Sequence, residues 1–124
     1  MNSLLDTHTV IWFIEGVKLT ARTKEIINFG NNFVSVISLW EVAIKMNIGK
    51  YNFVGGFSAF NELVKKNKFI VLPVKDEHME RLFTLPIIHR DPFDRLIIAT
   101  ALTESLTIIT ADENIQKYNV PWIW

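Results

Sequence analysis

Short apolar runs alternate along the chain with longer stretches in which apolar residues recur every three or four positions. The first pattern indicates buried strands and the second indicates helices. The predicted strands are Ser3–Leu5, Phe33–Ile37, Phe69–Val74, Leu106–Thr110 and Val120–Trp124. The predicted helices are Thr9–Glu15, Thr20–Phe29, Ser38–Asn47, Phe57–Asn67, Asp76–Leu85, Asp91–Glu104 and Asp112–Tyr118. Strands that alternate with helices predict an α/β fold with a central, mostly parallel β-sheet of about five short strands.

Composition limits the class of protein. The chain has 124 residues, 49% of them apolar, which fits a single domain over residues 1–124 with a substantial core. It has no cysteine, so a disulfide scaffold, a thiolate zinc site and a cysteine nucleophile are excluded. No apolar stretch approaches the roughly 20 residues that a membrane span needs, and the N-terminus lacks a basic segment. We therefore expect a soluble, cytoplasmic protein without membrane contact.

Charge balance changes this picture in one respect. The 13 basic and 13 acidic residues cancel, so the protein does not attract nucleic acid through its net charge. Any nucleic-acid contact has to be local and assisted by a metal ion.

Three acidic residues follow predicted strands and a fourth opens a helix. Asp6 follows the first strand, Glu41 follows the second by a few residues, and Asp112 follows Leu106–Thr110. In open parallel sheets the ligand crevice lies outside the carboxyl ends of the strands. We expect these three acids to share one edge of the sheet, and Asp94 to lie near the core because its helix is apolar almost all round.

Each acid also has a purely structural alternative, and Asp6 has the weakest one. Ser38 and Glu41 form a capping-box pattern, and Glu41 can pair with Lys45 one turn later. Asp112 can cap the last helix. Asp94 sits in the first turn of a helix that opens with a cap and a proline, where the helix dipole favours an acid. Asp6 has no comparably clear capping role and interrupts an apolar run.

If the four acids converge, they cannot all be ionised without a cation, because like charges raise one another's pKa. Magnesium suits a site of few carboxylates, waters and phosphate oxygens. The chemistry that follows is attack of an activated water on phosphorus, which needs neither a catalytic histidine nor a serine nucleophile.

At these residues the sequence resembles the PIN-domain nucleases, and within them the VapC-type toxins of bacterial toxin–antitoxin pairs. The resemblance covers essentially the whole chain. The segments that carry it are LLDTH at Leu4–His8 with Trp12 after it, SLWEVAIKMNIGK at Ser38–Lys50, HRDPFDRLIIATA at His89–Ala101, TADENIQKY at Thr110–Tyr118, and a closing tryptophan.

The resemblance implies a Rossmann-like parallel sheet and a magnesium- or manganese-dependent endoribonuclease. It implies that a cognate antitoxin occludes the site and that operator DNA is reached only through the antitoxin. The family's acidic set carries over to Asp6, Glu41, Asp94 and Asp112, as catalytic residues and metal ligands. Asp91 lies in the matching motif and is better explained as a helix cap.

Other polar and aromatic residues are less specific. Thr7 could contact the substrate phosphate or cap the first helix, and Arg95 could contact phosphate or balance the neighbouring acids. Some aromatic side chains are expected at a homodimer interface or an antitoxin groove. The aromatic residues expected in the core rather than on a base-stacking surface are Trp12, Phe13, Phe33 and Trp40.

Two other functions remain open at this stage. A haloacid-dehalogenase-like phosphatase needs a second Asp two residues after the nucleophile, but Asp6 is followed by Thr7 and His8. A non-catalytic binding module that co-represses transcription with an antitoxin is the remaining alternative, and the intact acidic set argues against it as the sole role.

Overall fold

A computed structural model describes all 124 residues, Met1–Trp124, around one parallel β-sheet. Its five strands are β1 (Asn2–Leu5), β2 (Asn31–Ser35), β3 (Ile70–Leu72), β4 (Thr107–Ile109) and β5 (Trp122–Ile123). Their order is β3-β2-β1-β4-β5, and every neighbouring pair is parallel. The expected α/β fold with a five-stranded parallel sheet is confirmed.

Seven helices surround the sheet. They are α1 (Thr7–Glu15), α2 (Ala21–Phe29), α3 (Val36–Asn47), α4 (Gly56–Lys66), α5 (Asp76–Phe83), α6 (Pro92–Glu104) and α7 (Glu113–Gln116). None of them combines the length and the apolarity that crossing a membrane requires. Every predicted helix is present, with boundaries that shift by a few residues.

The central strands contribute to two hydrophobic cores, one on each face of the sheet. Successive strand residues point to opposite faces. Leu5 therefore packs with residues of α1, α3 and α4, whereas Leu4 packs with residues of α6 and α7. Ile109 and Ile108 of β4 divide in the same way. Helices that cover both faces explain why adjacent residues of the central strands, such as Leu4 and Leu5 or Ile108 and Ile109, are both apolar.

The boundary between β2 and α3 differs from the sequence prediction. The strand ends at Ser35 rather than Ile37, and α3 begins at Val36. The Ser35 hydroxyl accepts a hydrogen bond from the Ile37 N–H at 3.1 Å, so Ser35 is the N-cap of α3. The β-branched Val36 and Ile37 suggested a strand, but the cap and the burial of Ile37 favour the helix. The predicted capping box of Ser38 and Glu41 is wrong, since both residues lie inside α3.

Candidate metal centre

Asp6 lies at the carboxyl end of the central strand β1 and is almost fully buried, with 3% of its surface exposed. Its Oδ1 accepts hydrogen bonds from the Thr9 N–H (2.9 Å) and the Thr9 hydroxyl (2.6 Å). Its Oδ2 accepts one from the Thr110 hydroxyl at 2.5 Å. Burial raises the pKa of Asp6, and the bonds from Thr110 and Thr9 partly offset this rise.

Asp6 also caps α1, which corrects the expectation that it lacks a clear capping role. The bond from the Thr9 N–H is the usual N-cap bond. The alternative that Thr7 caps this helix is therefore wrong. Asp6 has a structural role, and its position at the sheet edge lets the same carboxylate take part in a metal site.

Asp94 lies in the first turn of α6, and its side chain is 17% exposed. Asp91 caps this helix through a hydrogen bond from the Asp94 N–H to Asp91 Oδ1 (2.9 Å), as expected. The pKa of Asp94 is raised to about 7, first by burial and then by the charges of Asp91, Asp112 and Asp6. A hydrogen bond with His89 Nε2 (3.2 Å) opposes the shift. Asp94 is therefore close enough to Asp6 and Asp112 to be repelled by both.

Asp112 follows β4 and caps the short helix α7. Its Oδ1 accepts a hydrogen bond from the Asn114 N–H at 2.8 Å, and its own N–H donates to the Thr110 hydroxyl at 3.0 Å. Because β4 pairs directly with β1, the carboxyl ends of both strands lie side by side. Thr110 thus joins Asp112 to Asp6 through two successive hydrogen bonds.

Glu41 is buried inside α3 and has one oxygen without a hydrogen-bond partner. Its Oε2 lies 3.2 Å from Lys45 Nζ, which confirms the pairing considered from the sequence. Its Oε1 is buried and makes no hydrogen bond. The Ser38 hydroxyl, one turn earlier on the same helix, accepts a bond from the Thr7 hydroxyl at 3.0 Å. This contact holds α3 against the beginning of α1, next to Asp6.

The donor set fits a hydrated divalent cation better than an ion enclosed by protein. No three acidic or histidine side chains converge closely enough to ligate one ion directly. Magnesium, however, keeps several of its waters and is usually held by one or two carboxylates. A cation at this edge would relieve the repulsion of Asp94 by Asp6 and Asp112. The unpartnered buried oxygen of Glu41 is a further potential ligand.

A cavity of about 230 Å³ opens beside two of the acids. Its lining residues are Asp6, His8, Trp12, Ala111 and Asp112. Another hollow, of about 350 Å³, lies around Tyr51 and Phe53 and contains no acidic residue. The smaller cavity is therefore the one next to the candidate metal ligands Asp6 and Asp112.

Thr7 and Arg95 already have protein partners. Thr7 is buried, and its hydroxyl donates to Ser38. Arg95 Nη1 donates to the Pro86 carbonyl (2.9 Å) and the Tyr118 hydroxyl (2.8 Å). These bonds fasten the segment before α6. Contact of either residue with a substrate stays a prediction and would require these bonds to be exchanged.

Sequence reasoning missed the residues that orient the acids. Thr9 and Thr110 bind Asp6, and His89 binds Asp94. Thr110 carried a usable signal, because it stands between the end of a predicted strand and Asp112. His89 stands five residues before Asp94 but lies outside α6, so helical spacing gives no indication of their contact.

Residues 3–121 match the family model described as PIN domain. No curated protein is similar enough in sequence to be matched with the chain. Solved structures are similar in fold. VapBC2 from Rickettsia felis, bound to a DNA fragment from its promoter, is 13% identical with a TM-score of 0.78, covering 99% of this chain and 98% of that one.

Two further solved structures share the fold. DNA-bound VapBC from Salmonella typhimurium is 16% identical with a TM-score of 0.73, covering 99% of this chain and 97% of that one. VapBC-1 from nontypeable Haemophilus influenzae is 20% identical with a TM-score of 0.67, again covering 99% and 97%. The family match spans nearly the whole chain and agrees with the parallel sheet and its acidic edge, so the chain belongs to the PIN-domain family.

Proposed function

We propose that this protein is a magnesium-dependent endoribonuclease and the toxin of a toxin–antitoxin pair. The observation that carries the proposal is the position of Asp94 near Asp6 and Asp112, whose charges add to the effect of burial and help to raise its pKa to about 7. Glu41, which has a buried oxygen without a hydrogen-bond partner, is the fourth acid of the proposed metal site. PIN domains are generally nucleases, which supports the same reaction class.

The residues of the chain prepare the site for a phosphodiester. Magnesium, or manganese in its place, supplies positive charge that activates water and stabilises the phosphoryl oxygens. Asp6, Glu41, Asp94 and Asp112 would hold the ion, directly or through water. Thr110 and Thr9 fix the orientation of Asp6, and His89 fixes that of Asp94. Lys45 neutralises part of the charge of Glu41.

The toxin assignment rests on the structural relatives. Several of them are described as VapBC complexes of toxin–antitoxin systems, two of them bound to DNA. We propose a cognate antitoxin as the partner of this chain, with operator DNA bound only through that antitoxin, and a homodimer as the assembly. Exposed apolar side chains such as Val54 and Phe83 are available for such contacts.

Cleavage of RNA by the purified protein tests the proposed function. We expect magnesium-dependent cleavage of single-stranded RNA that EDTA abolishes and that Asp94→Asn lowers about 100-fold or more, as for loss of a group that stabilises transition-state charge. Asp76→Asn, in the first turn of α5, is a matched control that keeps full activity. Undiminished, EDTA-sensitive cleavage by a folded Asp94→Asn variant would remove that residue from the site.

A measurement of magnesium binding distinguishes a metal-dependent enzyme from a non-catalytic binding module. Calorimetry should detect magnesium binding to the wild type and a weaker affinity in the Asp94→Asn variant, by roughly 10- to 100-fold. Absence of magnesium binding together with antitoxin-dependent DNA binding would favour a co-repressor without catalysis. The DNA-bound relatives make this the second candidate.

A further inference from the structure

Trp40 is a large aromatic residue that the fold leaves outside the core. It lies on α3, and 58% of its surface is exposed, although the sequence pattern placed it in the core. Its neighbours Leu39 and Glu41 are both buried. The main aromatic contact of Trp40 is with Phe93 at the start of α6, with ring centroids 5.3 Å apart and planes at 63°.

This aromatic pair lies between the two helices that carry Glu41 and Asp94. Trp40 directly precedes Glu41 on α3, and Phe93 directly precedes Asp94 on α6. The two helices pack against each other. The contact between the two rings therefore bridges the two helices that supply these acids.

The geometry of the pair leaves ring surface open for a further partner. Because the two rings meet edge to face, they do not cover each other as stacked rings would. More than half of Trp40 remains in contact with solvent. An unpaired nucleobase can stack on such a surface, whereas a base inside a duplex is already covered by its neighbours.

The charge balance of the chain favours such a contact in RNA binding. Basic and acidic residues cancel, 13 against 13, so net charge does not hold RNA. Lys45 is paired with Glu41, and Arg95 is bonded to Pro86 and Tyr118. The acids themselves repel phosphate. Stacking of an RNA base on an aromatic ring contributes binding energy that does not depend on phosphate charge.

We propose that Trp40, supported by Phe93, is a stacking platform for an unpaired base of single-stranded RNA next to the phosphate that is cleaved. The proposal rests on the ribonuclease function proposed above. It makes Trp40 a substrate-positioning residue and predicts that the enzyme prefers unpaired RNA.

Phe29 provides a matched control for an exposed aromatic residue. It is 84% exposed and ends α2, two residues before β2 begins. Phe29 therefore lies at the amino end of the parallel strands, opposite the edge that carries the acids. Its removal changes exposed aromatic surface without changing the acidic centre.

Binding of a short, fluorescein-labelled single-stranded RNA, measured by anisotropy in magnesium, tests the proposal. An Asp94→Asn background prevents cleavage. We expect Trp40→Ala to weaken binding about 5- to 100-fold, the cost of losing one stacked base. Trp40→Phe should retain most of the affinity, and Phe29→Ala should retain all of it. Binding to a duplex of the same sequence should not respond to Trp40→Ala.

Tryptophan fluorescence gives a second readout that does not depend on the stability of the alanine variant. RNA should quench emission in the Asp94→Asn parent, and Trp40→Phe should remove most of that quenching. In the cleavage-competent protein, Trp40→Ala should raise KM more than it lowers kcat.

Three results would overturn the platform. Equal RNA affinity of the Trp40→Ala and Phe29→Ala variants would do so while leaving ribonuclease activity intact. A change in molecular mass by light scattering with unchanged RNA affinity would show that Trp40 is instead an assembly contact. If the Asp94→Asn parent bound no RNA and the wild type cleaved none, the platform and the proposed function would both be wrong.

Discussion

The hydroxyl of Thr110 donates a 2.5 Å hydrogen bond to Oδ2 of Asp6, joining the carboxyl ends of β4 and β1 across 104 positions of the chain. The same hydroxyl accepts a hydrogen bond from the N–H of Asp112. The pairing of Leu5 with Ile109 in the sheet brings the two segments together. The spacing of Asp6 and Asp112 is therefore set by strand register and by one threonine.

Replacement of Thr110 by valine tests this arrangement. Valine keeps the branched shape but removes the donor, so the buried carboxylate of Asp6 loses a compensating bond. We expect the free energy of unfolding to fall by about 1–3 kcal/mol, as for an unsatisfied buried polar group. Thr110→Ser keeps the hydroxyl and should recover most of the loss. Equal stability of the valine and serine variants in urea unfolding would contradict the assigned role.

The raised pKa of Asp94 predicts a pH-dependent loss of stability in the absence of metal. An acid whose pKa is higher in the folded than in the unfolded protein stabilises the fold below its ordinary value, about 3.9. That contribution is lost as pH rises through about 7. The wild type should therefore lose about 1.4 kcal/mol per pH unit relative to Asp94→Asn between about pH 4 and 7.

Unfolding curves of both proteins in EDTA across this pH range provide the measurement. Added magnesium should reduce the difference at pH 8, because the cation offsets the repulsion. Parallel stability curves of the wild type and the Asp94→Asn variant would show that Asp94 has an ordinary pKa.

The corrected start of α3 can be tested with a double-mutant cycle. Ser35→Ala removes the cap and should cost about 1 kcal/mol. Ser38→Ala instead removes the partner of Thr7, so its effect should couple with that of Thr7→Val by about 0.5 kcal/mol or more. Ser35→Ala should be additive with Thr7→Val. Coupling of Thr7 to Ser35 rather than Ser38 in chemical unfolding would contradict the observed contact.

His78 is fully buried and joins α5 to α6. Its Nδ1 accepts the Lys75 N–H (3.1 Å), so the ring proton lies on Nε2 and is donated to Glu104 Oε2 (2.7 Å). His78→Ala should lower the free energy of unfolding by about 2–4 kcal/mol, through a cavity and a lost bond. His8→Ala, at an exposed position, should change it by about 0.5 kcal/mol or less.

Acid should weaken the contact between His78 and Glu104. The hydrogen bond from His78, and then the charge of Lys75, lower the pKa of Glu104 below its usual value. Such a group adds stability above its unfolded pKa and loses it as pH falls through the folded value. The stability difference between wild type and Glu104→Gln should therefore shrink below about pH 4. A constant difference in thermal unfolding would exclude this contact as a source of acid sensitivity.

The sequence was sufficient for the sheet and for the edge at which the acids lie. Continuous apolar runs indicated strands buried on both faces, and an acid after such a run had to lie at the carboxyl edge. Asp6 and Asp112 occupy this edge as expected. Asp94 lies on the predicted buried helix, with Asp91 as its cap.

The errors and the contacts that the sequence did not indicate came from interactions beyond the local pattern of the chain. Val36 and Ile37 favour a strand locally, but tertiary packing places them in α3. The contacts of Arg95 with Pro86 and Tyr118 depend on the fold of the segment before α6. Trp40 was expected in the core with the other aromatic residues, yet more than half of its surface is exposed on α3. Local patterns do not contain this information.

The position of a bound manganese ion tests the central claim most directly. A crystal of the protein soaked in manganese should show an anomalous peak at the carboxyl edge of β1 and β4, held directly or through water by Asp6, Asp94 and Asp112 with Glu41 beside it. The same soak of an Asp94→Asn crystal should show a weaker peak or none. A wild-type peak elsewhere, or no peak in the wild type, would contradict the account.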